Sequence, residues 1–152
     1  MATAPGKLIL TGEYAVLDGA PALVVAIDRR VVARDRTMRP AGSSPFLLAL
    51  AQELAARGKD PAIVERITVD SSAFYGEAGK LGLGSSAAVT VAATALALGE
   101  PLDRREVLAV ALAALARDRA PRGAAGSGSV VAAGVLGGAR VFTAGAGQAR
   151  TG

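Results

Sequence analysis

Lys80-Leu81-Gly82-Leu83-Gly84-Ser85-Ser86-Ala87-Ala88 is the stretch of this chain best suited to chemistry. Glycines let the main chain turn tightly and approach a bulky anion. Successive N–H groups then converge on it, and the positive end of a following helix adds about half a unit charge. The result is a phosphate cradle. Ser85 and Ser86 add hydroxyls that can bond phosphate oxygens or meet Mg2+, a hard cation that prefers oxygen ligands. The plain structural alternative is a capped helix N-terminus, since glycine beside serine before an apolar helix is common. Two better-known phosphate motifs fit less well. The Walker pattern needs a lysine directly after its last glycine, and none is there. The dinucleotide fingerprint is nearly met by Gly82, Gly84 and Ala87, with Glu100 and Asp103 suitably placed for a ribose. However, Gly76-Glu77-Ala78-Gly79-Lys80-Leu81 before it does not read as a buried strand. A Rossmann-like oxidoreductase is therefore only a remote alternative.

Two further clusters accompany the loop. Ala4-Pro5-Gly6-Lys7 enters an apolar run whose far end is Thr11-Gly12-Glu13-Tyr14. A lysine on a strand edge beside a phosphate cradle neutralises charge developing during phosphoryl transfer, and a nearby glutamate can fix substrate hydroxyls. Taken alone, Lys7 is a surface lysine. Ala124-Ala125-Gly126-Ser127-Gly128-Ser129-Val130 has the composition of a flexible connector, although its place between two helical segments also suits a loop lining a site.

Composition excludes much else. Cysteine and histidine are both absent, which removes disulfides, thiol nucleophiles, Ser/His/Asp triads and every metal site built on Cys or His. The net charge is +4, and Arg29, Arg30, Arg34, Arg36 and Arg39 crowd one segment. Asp28 and Asp35 interrupt that cluster, and aromatics are only 3% of residues, so there is little to stack on bases and a solvated strand face is expected instead of a nucleic-acid footprint. The longest apolar stretches, Ala87–Leu98 and Val107–Ala116, are well short of the roughly 18 to 20 residues a bilayer requires. No signal peptide is visible at the N-terminus, and a reducing, cytoplasmic setting is the default expectation.

The elements that must position these clusters read as follows. The 152 residues suit one domain. Lys7–Leu10, Leu23–Ile27 and Val31–Arg36 read as three strands, the latter two antiparallel to each other. Ser44-Pro45 opens a helix whose Phe46, Leu47, Leu50 and Leu54 recur at helical spacing until Gly58. Ile63–Asp70 alternates as a strand. A buried helix follows the glycine-serine loop to Leu98, starting at Ser85 or Ser86, and Asp103 caps another from Arg104 to about Arg119. Gly123–Ser129 forms a loop into Val130–Leu136, and Gly137-Gly138 precedes a last strand, Ala139–Thr143.

Order and wording carry more than composition here. Ala4-Pro5-Gly6-Lys7-Leu8-Ile9-Leu10-Thr11-Gly12-Glu13-Tyr14-Ala15-Val16 comes first and Lys80–Ala88 second. Gly126-Ser127-Gly128-Ser129 then runs into Ala132-Ala133 and Gly137-Gly138. Together these resemble the GHMP family of small-molecule kinases. Within it, Val69-Asp70-Ser71-Ser72-Ala73-Phe74-Tyr75 and the third cluster are most similar to the phosphomevalonate kinase branch, with the mevalonate kinase branch next. The resemblance spans most of residues 4 to 143. It implies a two-domain enzyme whose first domain is an α+β fold of the ribosomal-protein S5 domain 2 type, here residues 1–143, followed by a flexible tail, 144–152. It also implies transfer of the γ-phosphoryl of MgATP to a small acceptor, 5-phosphomevalonate of isoprenoid synthesis by wording. By the same resemblance Gly82, Leu83, Gly84, Ser85, Ser86 and Ala87 embrace the ATP phosphates and Ser86 contacts Mg2+. Lys7 sits by the transferring phosphoryl, and Lys7, Glu13, Ser127 and Gly128 face the acceptor.

Two departures bear on activity. The family's third loop reads Gly-Ser-Gly-x-Asp, with the aspartate pairing the lysine and activating the acceptor, whereas Val130 stands at that place here. Valine cannot accept a proton, and a general base typically contributes about 10²- to 10⁴-fold. Asp118, on the preceding helix, is expected to be a solvent-exposed helix-end aspartate, with assistance to Mg2+ as the alternative. The second departure is length. The chain is expected to hold the first domain without the C-terminal one, and Thr143-Ala144-Gly145-Ala146-Gly147 only faintly echoes a missing glycine motif. An apolar surface left open would favour a homodimer. A non-catalytic nucleotide- or metabolite-binding module is the alternative to an impaired kinase.

Overall fold

The structure, a computed structural model, describes residues 1–36, 44–122 and 128–143. In chain order the first elements are β1 (Ala2–Thr11), β2 (Pro21–Asp35), α1 (Pro45–Ala56) and β3 (Ile67–Asp70). Two hairpin arms follow, β4 (Tyr75–Gly76) and β5 (Gly79–Lys80), and then α2 (Ser85–Leu98), α3 (Arg104–Arg119), α4 (Ser129–Leu136) and β6 (Ala139–Thr143). Single 3₁₀ turns lie at Ala15–Asp18, Pro61–Arg66, Ser72–Phe74 and Ala120–Arg122.

β2 is the axis of an antiparallel sheet. β1 runs along one edge of it; on the other, β6 pairs with residues 21–25 and β3 with residues 32–35. The expectation of two separate strands at Leu23–Ile27 and Val31–Arg36 is corrected: they are one strand. Asp28-Arg29-Arg30 offers neither glycine nor proline to reverse the chain, so the extra residues are absorbed as a slip in register. The expected strand at Ile63–Asp70 is likewise shorter. Pro61 and the Asp60 side chain, which accepts from the Ala62 amide at 2.9 Å, start a 3₁₀ turn first, and the strand begins at Ile67.

The helices cover one face of the sheet. α1 starts with Pro45 in its first turn and ends in a Schellman closure, where the Lys59 amide donates to Leu54 O at 2.9 Å and Gly58 takes φ +69°. Asp103 caps α3 through the Arg105 amide at 2.8 Å. α2 is the centre of the core, and its residues 87–94 are all buried. Its alanines let it lie close to Ala4, Val31 and Ala33 of the sheet, while Leu47, Leu50 and Leu54 of α1 and Val107, Val110 and Leu115 of α3 close the far side. Each large aliphatic side chain so buried contributes about 1.5–3 kcal/mol. The opposite face of the sheet is open among the described residues: Leu8 is 46% exposed and Val141 47%, with Leu23 and Val25 between them only partly covered. No described helix is long and apolar enough to cross a membrane.

Candidate functional site

The glycine-serine loop is held from behind by β1. The Lys7 amide donates to Leu83 O at 2.9 Å, and Gly6 is needed there because a Cβ would meet the Phe74 ring at 2.7 Å and Leu83 O at 2.9 Å. Gly82 and Gly84 take φ of +72° and +78°, the left-handed region that L side chains rarely adopt. Gly84 is the N-cap of α2, and its carbonyl accepts from the Ala88 amide at 3.1 Å. Among the described residues, no backbone N–H from Gly82 to Ala87 donates to a protein carbonyl. A row of amides at the positive end of a fourteen-residue helix is therefore open to an anion.

Three sequence clusters meet at Gly84. A Cβ on it would lie 2.9 Å from Lys7 Cγ, 3.0 Å from Lys7 Cε and 3.1 Å from Val130 Cγ1. Lys7 thus runs past the N-terminal turn of α2 at the point that Val130, in the first turn of α4, also reaches. Gly128, with φ +79°, is the N-cap of α4, and its carbonyl accepts from the Val131 amide at 3.0 Å. Ser127 lies outside the described residues. Glu13 is exposed two residues beyond the end of β1, an end that is itself about 13 Å of strand past Lys7 at the usual rise.

On the other side of the loop is a cavity of about 200 Å³, lined by Ser71, Tyr75, Lys80, Ser85 and Ser86 over a floor that includes Val69 and Val89. Ser85 is only 5% exposed, and among the described residues its hydroxyl has no hydrogen bond. Lys80 and Tyr75 went unassigned in the sequence. Their pairing across the β4–β5 hairpin, Tyr75↔Lys80, brings both to the cavity rim. The Asp70 carboxyl, on the residue between Val69 and Ser71, accepts from the Ser72 amide at 3.0 Å and the Ser72 hydroxyl at 2.7 Å, and these bonds hold it below the usual carboxylate range. No acidic side chain lines the cavity, and no cluster of three metal-binding side chains occurs among the described residues.

Two expectations are corrected. Asp118 is 8% exposed, not solvent-exposed: α3 continues into the Ala120–Arg122 turn and packs against α1, and Asp118 lines a cavity with Pro45, Leu48 and Ala49 of α1. The dinucleotide alternative also fails, because Gly82 follows a two-residue hairpin arm and the sheet is antiparallel, whereas the fingerprint needs a buried parallel strand before its glycines.

No family model and no curated protein matches the chain. Solved structures do. The Methanococcus jannaschii mevalonate kinase is similar with a TM-score of 0.70 at 18% identity over 98% of this chain and 54% of its own. A Streptococcus pneumoniae phosphomevalonate kinase in complex with phosphomevalonate and AMPPNP has a TM-score of 0.69 at 22% identity over 93% and 49%. A Lin0012 protein from Listeria innocua has 0.71 at 21% over 94% and 48%. The chain spans about half the length of these structures. Its fold is therefore the α+β fold of GHMP-type kinases, consistent with their N-terminal domain.

Proposed function

We propose that this chain binds the polyphosphate of a purine nucleotide, ATP, on the loop Gly82–Ala87 and serves a GHMP-type phosphotransferase. The observation that carries the proposal is the row of unspent amides between two lysines, Lys7 on one flank and Lys80 on the other. Backbone donors fixed by Gly82 and Gly84 need no reorganisation to meet phosphate oxygens, and the two ammonium groups offset negative charge that a nucleotide brings. Ser85 and Ser86 add hydroxyls at the same end of α2. Mg2+ arriving with the nucleotide would be met by Ser86 and would neutralise the phosphate oxygens. The acceptor is 5-phosphomevalonate, with mevalonate second, approaching from the β1 side where Lys7 and Gly128 stand; Ser127, given to the acceptor by the same reading, lies outside the described residues. Turnover by this chain is impaired, since Val130 supplies no proton acceptor beside Lys7.

Val130 also favours a second reading, a nucleotide-binding module without catalysis. Calorimetry of the chain with MgATP, ADP and NAD tests the proposal. Binding selective for the adenine nucleotides is expected, and absence of any ATP binding overturns it. Coupled ADP release with phosphomevalonate and with mevalonate then separates an impaired kinase from a binder.

A further inference from the structure

We infer that Arg29 is a positioning residue for the nucleoside side of the site, acting through the carbonyl of Ala73; the inference rests on the nucleotide reading above. β1 and β2 pair as Pro5↔Arg30 and next as Gly6↔Ile27, which leaves Asp28 and Arg29 without partners on β1. A bulge of this kind interrupts the alternation of side chains and re-aims one of them. Here that side chain is Arg29, whose Nη1 donates to Ala73 O at 2.9 Å.

Ala73 sits in the Ser72–Phe74 turn, and the residues flanking that turn, Ser71 and Tyr75, form a wall of the cavity. The wall has other supports as well, beginning with the pairing of β3 on β2 that ends at Asp70. Asp70 holds Ser72 locally, the Leu81 amide ties Phe74 O to the hairpin at 3.0 Å, and the buried Phe74 ring lies against Gly6. Among the described residues, Arg29 gives the wall a side-chain hydrogen bond to β2, beside the backbone pairing of Val32 with Asp70. The amide row of the cradle has separate supports, the Lys7 amide on Leu83 O and the Ala88 amide on Gly84 O. Loss of Arg29 should therefore divide binding into two parts. With the phosphates on the amide row, the adjoining cavity is the space left for the nucleoside, so its contacts need the wall, whereas the amide row itself is held without it.

Titration of ATP and of inorganic tripolyphosphate into the chain and into Arg29→Ala and Arg29→Lys separates these parts. Arg29→Ala should weaken ATP about three- to tenfold, the range of one lost hydrogen bond at a solvent-exposed position, and leave tripolyphosphate within about twofold. Arg29→Lys, which keeps a cationic donor, should recover part of the loss. Unchanged ATP binding in Arg29→Ala overturns the inference, and equal weakening of both ligands overturns it in favour of a general structural role. If the unsubstituted chain binds neither ligand, the nucleotide reading itself fails. Amide exchange then still decides the Arg29 contact: Arg29→Ala should speed exchange at Leu81 and not at Ala88, and equal protection of Leu81 in both proteins overturns it.

Discussion

Val130 decides more than any other single residue, because it stands against Gly84 beside the stem of Lys7. Val130→Asp would place a carboxylate at that spot. ADP release with phosphomevalonate should then rise about 100-fold or more over the unsubstituted chain, within the usual range for a general base. A variant still at background would assign acceptor activation to another group. Gly84 makes a complementary prediction. A methyl group there faces both φ +78° and the Lys7 side chain, so Gly84→Ala should abolish ATP binding and destabilise the chain. The left-handed conformation alone costs about 1–2 kcal/mol, readable by denaturant titration. Thr94 gives the opposite sign. It is fully buried in α2, and among the described residues its hydroxyl has no partner. Thr94→Val keeps the shape and removes the unsatisfied group, so stability should rise by about 1 kcal/mol and Tm by about 2–4 °C.

Between elements, a buried carboxylate joins α1 to α3. Glu53, 5% exposed, accepts from Arg57 at 2.6 Å within α1 and from Arg117 at 2.7 Å across to α3. Burial pulls its carboxyl upward, but the hydrogen bonds from Arg117 and Arg57 and their charges outweigh that, and the group titrates below the usual glutamate range. A carboxyl whose folded value is depressed stabilises the fold fully above its unfolded value, about pH 4.3, and loses that contribution as pH falls through the folded value. Tm of the chain and of Glu53→Gln should therefore differ at pH 7 and converge as the pH drops below about 4. A constant offset across that window would mean that the charge of Glu53 is not what matters. Lys59, in the turn after α1, and Glu106 of α3, 2.8 Å apart and both partly exposed, add a link of smaller effect.

At the scale of the whole molecule, the open sheet face is the feature without a partner among the described residues. Leu8 at 46% exposed, Val141 at 47% and the partly covered Leu23 and Val25 form an apolar strip on adjoining strands. Strips of this kind mark association surfaces. Sedimentation should show a concentration-dependent dimer with apolar-dye binding at low concentration, and Leu8→Lys should shift the chain toward monomer. A monodisperse monomer that binds no dye would remove this surface from consideration.

The local code alone determined much of this molecule. Pro45 and Gly58 bound α1, Asp103 starts α3, and Gly137-Gly138 precede β6, because caps and left-handed turns depend on residues within a few positions. The glycine loop was legible for the same reason, since φ near +75° is a property of Gly82 and Gly84 themselves. What only the tertiary structure decided are the long-range pairings: the fusion of two expected strands into β2 around a bulge, the burial of Asp118 under α1, and the arrival of Tyr75 and Lys80 at the cavity. Lys7, Gly84 and Val130 are far apart in sequence and meet because β1 and the N-terminal turns of α2 and α4 converge on one point. Sequence spacing carries no record of such contacts; they exist only once packing against the sheet has fixed where each helix begins.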